Sequence, residues 1–150
     1  MLLSARLYAI FRVPPFGAIQ LRAVKKEQKH YHFDWTLIEN PGARFENMVA
    51  VHLLKWVHFE QDTQARELEL LYFRDVDGRE VDFVISEKAQ PILAIECKFD
   101  DSDISKGLKY FKGHFPQCEA WQISFKGEKD FLSKEGIHVC PALKFLRKLI

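Results

Sequence analysis

The chain has 150 residues, 47% hydrophobic and 29% charged, with a formal net charge of +1. That describes an ordinary globular protein long enough for one domain with a real core. The near-neutral balance excludes a global basic bias towards nucleic acid, so any such surface must be a local patch. Cys97, Cys118 and Cys140 are odd in number and widely spaced, which fits a reducing cytoplasm and argues against a disulfide framework or a zinc site. The six histidines (30, 32, 52, 58, 114 and 138) form no cluster with cysteine at zinc-ligand spacing. There is no signal peptide, and nothing approaches the run of about 18 apolar residues that a membrane span needs.

The first 35 residues read as the tail of something larger, with too few apolar residues for a core of their own. Leu7–Val13 is apolar and stopped by Pro14-Pro15 and Gly17, Ile19–Val24 is strand-like, and His30–Trp35 alternates as a strand. Pro41-Gly42 punctuates, and Ala43–Phe59 is the strongest helix, with Phe45, Val49, Leu53, Trp56 and Val57 at helical spacing. Leu68–Phe73 is a strand, and Asp75-Val76-Asp77-Gly78 is a turn into the strand Arg79–Ile85. A polar turn, Ser86–Gln90, leads to the strand Ile92–Lys98. After the acidic loop Asp100–Asp103, Asp103 caps a helix over Ile104–Phe111. Strands over Ala120–Phe125 and Gly136–Val139 and a helix over Ala142–Leu149, with Pro141 at its start, complete the order.

The two strands REVDFVI and ILAIECK carry the chemistry. A hairpin centred on Ala89 sets Asp82 opposite Glu96 and Glu80 opposite Lys98, and period-two alternation puts Asp82, Glu96 and Lys98 on one face. Opposed side chains there stand roughly 5 Å apart at Cβ, and like charges that close call for a shared proton or a cation. Glu-x-Lys alone more often marks a solvated sheet face. Here Leu93, Ile95 and Cys97 form one apolar face and Ile92 and Ala94 start the other, so the strand reads as central and charged only at its C-terminal end. Mg²⁺ prefers oxygen ligands, so Asp82 and Glu96 supply carboxylates, the Cys97 backbone carbonyl adds a third oxygen, and Lys98 orients a water or steadies transition-state charge. Glu80 and Lys98 read as an exposed cross-strand ion pair.

A helix with a glutamate, a strand pair with Asp, Glu-x-Lys on the second strand and a following helix together resemble the PD-(D/E)xK nuclease superfamily. The wording RFEN.VA.HLLK, LYF.RD..GREVDFVI and IE.K, over Arg44–Lys55 and Leu71–Lys98, is closer still to the nuclease-like domain of unknown function at the C-terminus of prokaryotic AAA-type ATPases. The resemblance covers about Trp35 to Phe125. It implies an α/β fold of the restriction-endonuclease-like class, with a mixed central sheet flanked by helices. It assigns Glu46 as the first acidic residue, Asp82 as the central aspartate and Glu96/Lys98 as the E-x-K. It divides the chain into a remnant of an upstream winged-helix and linker segment (1–35) and a nuclease-like domain (36–150). The expected function is Mg²⁺- or Mn²⁺-dependent hydrolysis of nucleic acid, most naturally DNA, in the service of an ATPase carried in a longer cytoplasmic protein. The alternative is a catalytically silent module that binds DNA or protein for that ATPase.

Lesser features read as structural. Lys106, Lys109 and Lys112 form a solvated helix face sooner than a phosphate contact, and Lys25, Lys26, Lys29 and Lys55 form an equally unspecific basic patch. His52 and His58 read as packing histidines. Trp35, Trp56 and Trp121 read as core, the cysteines as small core residues, and Asn47 as support for the site or nothing.

Overall fold

The computed structural model describes residues 9–17 and 27–150. The strand-like run at Ile19–Val24, together with Lys25 and Lys26, lies outside the described residues. Strands β1 (Ile10–Val13) and β2 (Lys29–His32) form an antiparallel hairpin with Phe11 opposite Tyr31. β2 stops at His32, short of the expected Trp35, because Asp34 caps a 3-10 turn over Trp35–Leu37 through the Thr36 N–H. Helix α1 (Pro41–Gln64) begins where Asn40 Oδ1 accepts the Ala43 N–H at 2.9 Å. Pro41 sits in the first turn, where its missing N–H costs nothing, so Pro41-Gly42 starts the helix rather than preceding it. Phe45, Val49, Leu53 and Val57, spaced every four residues, are the buried stripe.

Three antiparallel strands follow: β3 (Leu68–Arg74), β4 (Glu80–Glu87) and β5 (Gln90–Lys98). The β3–β4 turn is built by Asp75, whose carboxylate accepts the N–H groups of Asp77 and Arg79 at 3.0 and 2.9 Å, and by Gly78 at φ +79°. The β4–β5 connection is tighter than the sequence suggests. Lys88 and Ala89, both with positive φ, form a two-residue loop of the type whose twist matches a hairpin. An irregularity between Ile85 and Ser86 then restores the register Phe83↔Ile95, Val84↔Ala94, Ile85↔Leu93 that a centre at Ala89 dictates.

Helix α2 (Lys106–His114) is capped by Ser105 rather than Asp103, with Ser105 Oγ accepting the Leu108 N–H at 3.3 Å. Strands β6 (Glu119–Ser124), β7 (Phe131–Leu132) and β8 (Ile137–Pro141) precede a short α3 (Ala142–Leu146), which ends in a 3-10 turn at Arg147–Leu149 instead of continuing as one helix. β7 is too short to show in the sequence pattern. The six-stranded sheet runs β3-β4-β5-β6-β8-β7, parallel across β5-β6-β8 and antiparallel elsewhere. The domain is thus mixed α/β, a central mixed sheet between helices.

The two sheet faces have separate cores. On one, Phe45, Val49 and Leu53 of α1, Val13 and Tyr31 of the hairpin and Phe145 of α3 pack on Phe83, Ile85, Ile95 and Ile123. On the other, Leu108 and Phe111 of α2 pack on Phe73, Val81, Val84 and Ala94. The described residues of segment 1–35 therefore contribute buried side chains, Val13 and Tyr31, to the same core as the rest, with an isolated bridge from Pro15 to Tyr72 of β3. Among the described residues no helix is long and apolar enough to cross a membrane.

Candidate functional site

The site is made by a defect in β4. Pairing with β3 jumps from Leu71↔Val84 to Phe73↔Val81, so Asp82 and Phe83 together answer Tyr72 in a β-bulge. Val81 packs in the α2-side core and Phe83 in the α1-side core, so alternation breaks between them. Glu80, paired with Arg74 beside the Tyr72 ring, is on the α1 side, and Asp82 follows it there. Glu96 and Lys98 keep step with Ala94 on the α2 face. The single face expected for Asp82, Glu96 and Lys98 is therefore corrected: the bulge turns Asp82 towards α1, and each carboxylate accepts a backbone N–H of the other strand across the gap where β4 and β5 part.

Beyond Phe83↔Ile95 the side chains take over the strand pairing. The Cys97 N–H donates to Asp82 Oδ2 at 2.9 Å, and the Asp82 N–H donates to Glu96 Oε2 at 3.3 Å. Lys98 Nζ donates to Glu96 Oε1 at 2.8 Å. The expected Glu80–Lys98 ion pair does not form, because Glu80 binds Lys29 and Arg74 instead. Asp82 and Glu96 are nearly closed to solvent, with side chains 14% and 9% exposed.

Burial dominates their electrostatics. It pushes the Asp82 carboxyl well above its ordinary value, with the Glu96 and Glu46 charges adding to it and Lys29 and the Cys97 N–H opposing. Burial also raises Glu96, against the pull of Lys98. The thiol of half-buried Cys97 is raised likewise, by desolvation first and then by the charges of Asp82, Glu46 and Glu96.

Sequence reasoning missed the groups that face Asp82 from the hairpin. In sequence Lys29 reads as part of a basic surface patch, yet its side chain is 19% exposed and enters the carboxylate cluster. Its Nζ binds Glu80 and lies 3.6 Å from Glu46 Oε1 and 3.8 Å from Asp82 Oδ1. Burial opposes that charge, but Glu46, Glu80 and Asp82 outweigh it and raise the Lys29 pKa. Tyr31, two residues on and so on the same face of β2, donates its hydroxyl to Glu46 Oε1 at 2.6 Å. Burial and the Glu46 carboxylate raise its phenol far above the ordinary value.

Asn47 holds these groups in place. Its Oδ1 accepts the His32 N–H at 2.9 Å and its Nδ2 donates to the His32 carbonyl at 2.7 Å, so a buried amide replaces a strand neighbour for the outer edge of β2. Asn47→Ala is expected to cost about 2 kcal/mol in urea unfolding, two net hydrogen bonds and the groups they leave bare. A loss below about 0.5 kcal/mol, the low end for one such bond, contradicts this clamp.

On the α2 face Gln122, beside Glu96 in the β5–β6 register, accepts the Ser105 N–H at 2.8 Å and donates to the carbonyls of Ser102 and Asp103. It fixes the acidic loop over Glu96, a role the sequence pattern gives no sign of. Lys109 pairs with Glu135, and Lys112 donates to the carbonyls of Pro116 and Cys118, so neither is a free phosphate contact. His52 and His58 are exposed rather than packed, and Trp35 and Trp56 are half-buried, whereas Trp121 is core.

The donor set is all oxygen: the carboxylates of Asp82, Glu96 and Glu46, and the Cys97 carbonyl, which in a strand opens to the same side as its N–H. That chemistry fits a hard divalent cation. Among the described residues no three His, Cys, Asp or Glu side chains stand as a metal cage, and every buried side-chain polar atom has a partner. Among the described residues the Lys29 ammonium stands between Glu46, Glu80 and Asp82, with Arg74 on Glu80 alone.

No curated protein and no solved structure matches the chain. The profile of a family described as a domain of unknown function, DUF4143, matches residues 41–145. That span runs from the first turn of α1 to α3 and takes in Glu46, Asp82, Glu96 and Lys98, and the chain belongs to the DUF4143 family.

Proposed function

We propose that this domain hydrolyses nucleic-acid phosphodiesters, DNA in the first place, with a divalent metal such as Mg²⁺ or Mn²⁺. The observation that carries the reading is the pair of nearly buried carboxylates, Asp82 and Glu96, held at the parting of two central strands with Lys98 bound to one of them. Burying two like charges that close is costly, and a structural sheet has no need of it. The resemblance of Arg44–Lys55 and Leu71–Lys98 to PD-(D/E)xK nucleases, and through it a restriction-endonuclease-like fold, supports the same chemistry.

In this reading Asp82 and Glu96 hold the ion, with the Cys97 carbonyl beside them. A divalent ion supplies acidity to a bound water and neutralises phosphate charge. Lys98, anchored on Glu96, orients the water and faces the negative charge that builds on the phosphate. Glu46, held by Tyr31, stands ready to accept a proton or a water. Beyond Lys98, whose carbonyl accepts the Phe125 N–H, Phe99 and Phe125 stack at 5.4 Å with Lys126 over the Phe99 ring. An aromatic pair and a cation there suit a nucleic-acid strand. The domain would then act for an ATPase carried in the same longer, cytoplasmic chain.

A silent binding module is the second reading, favoured by Lys29: the chain's own ammonium already stands among the carboxylates. Cleavage of duplex DNA, single-stranded DNA and RNA in Mg²⁺ and in Mn²⁺ separates the two. Lys98→Ala is expected to fold normally and lower the rate about 10²–10³-fold, the usual loss when one transition-state donor is removed. A parent that cuts none of these substrates with either metal leaves the binding module, and a Lys98→Ala variant that cuts as fast as the parent removes Lys98 from the chemistry.

A further inference from the structure

The reading above leaves Lys29 unused, although among the described residues no other side chain touches so many of the site's acids. It reaches from β2, outside the 41–145 span that defines the family match. Four carboxylates gather here: Glu46, Glu80, Asp82 and Glu96. Among the described residues three cations face them: Lys29, Arg74 and Lys98. Arg74 is committed to Glu80 and Lys98 to Glu96, so Lys29 is the one shared between α1 and β4. Its ammonium lies 3.8 Å from Asp82 Oδ1, the oxygen of that carboxylate not taken by the Cys97 N–H. The oxygen that a metal needs is therefore the one Lys29 approaches. A unit positive charge and a divalent ion so close in a poorly solvated pocket repel strongly, and no water layer of bulk dielectric separates them.

We propose that Lys29 is a built-in counter-cation that a divalent metal must displace from Asp82, so that the β1–β2 hairpin gates the site. The Lys29 side chain has somewhere to go, since its tightest contact is to Glu80 and the Tyr72 ring lies 5.2 Å from its Nζ. Moving the ammonium fully onto Glu80 and Tyr72 frees Asp82 and Glu46 together. Tyr31 moves with the same strand, so metal entry and the hydrogen bond to Glu46 are coupled through one hairpin. The inference rests on the metal reading of the site, but not on any particular substrate.

The test is Mn²⁺ binding, followed by electron paramagnetic resonance of free Mn²⁺, on the parent, Lys29→Met and Lys29→Arg. A second neutral variant, Lys29→Met/Glu80→Gln, removes the ion pair as a unit and keeps the net charge if the single change unsettles the fold. Lys29→Met and the double variant are expected to bind Mn²⁺ at least about tenfold more tightly than the parent, a modest share of the repulsion expected for charges this close. Lys29→Arg, which keeps the charge, is expected to match the parent. Equal or weaker binding by the Met variants, or no binding by any of the proteins, overturns the inference. Cleavage assays are a separate readout: a parent that cuts DNA while Lys29→Met gains no affinity defeats the gate alone, and tighter Mn²⁺ binding with no cleavage defeats the hydrolytic reading alone.

Discussion

Asp82→Asn is expected to make the domain more stable at pH 8 and to abolish its hydrolytic activity. The two effects share one cause. The Asp82 carboxyl is raised by burial first, then by Glu96 and Glu46, so the folded protein binds its proton more tightly than the unfolded chain does. Such a group favours the folded state at low pH. That contribution is lost as pH rises from the ordinary 3.8 through the raised folded value. Glu96 is shifted in the same direction. The acids shifted the other way, Asp75, Glu80, Glu87, Glu119 and Glu135, act below their ordinary values and leave the range from pH 5 to 8 untouched. The parent's melting temperature should therefore fall as pH rises above the ordinary carboxyl value, and Asp82→Asn should flatten that fall. Asparagine fills the same volume, its carbonyl oxygen still accepts the Cys97 N–H, and Lys29 keeps Glu46 and Glu80. A variant that melts below the parent at pH 8 means that Lys29 stabilises the ionised carboxylate by more than burial costs it.

Gly107→Ala is the most damaging small substitution the structure offers. Gly107 lies on the buried face of α2, and a Cβ built there would stand 2.0 Å from the Glu80 carbonyl oxygen and 2.8 Å from its carbon and nitrogen. Those atoms belong to a strand hydrogen-bonded on the other side to β3, so the neighbour is backbone and cannot swing aside. The helix must lift, opening the contacts of Leu108 and Phe111 with Val81 and Phe73. The expected cost is about 3 kcal/mol in urea unfolding, the upper end for overpacking a core. Glu80 carries the ion pairs with Lys29 and Arg74, so the same change should weaken the site. A cost under about 1 kcal/mol, below the usual range for overpacking, contradicts the close approach of α2 to β4.

Much of the framework was legible because it is local. The four-residue repeat of Phe45, Val49, Leu53 and Val57 marks α1, and the apolar runs of Leu68–Phe73, Arg79–Ile85 and Ile92–Lys98 mark the central strands. The hairpin centre at Ala89 gives the true register at Phe83↔Ile95. The rest depends on partners distant in the chain. Val81, Phe83 and Ile85 read as one alternating face, but the pairing of Tyr72 with two β4 residues inserts a bulge and splits them between two cores. Without that bulge Asp82 would not reach α1. Lys29 ends a run of charged residues and so reads as solvated surface. Only the Asn47 clamp, which joins residues 15 apart, shows why it is inside. Gly107 sits in the pattern Ile104, Leu108, Phe111 with no mark that a backbone passes beneath it.

The most direct test of the site is a thermal-shift titration with Mg²⁺ and Mn²⁺ on the parent and on Asp82→Asn/Glu96→Gln. A ligand that binds only the folded state raises the melting temperature. A metal-dependent rise is expected in the parent and none in the double variant, which starts from a higher melting temperature at neutral pH. A parent that ignores both metals, or a double variant that responds as the parent does, contradicts that expectation.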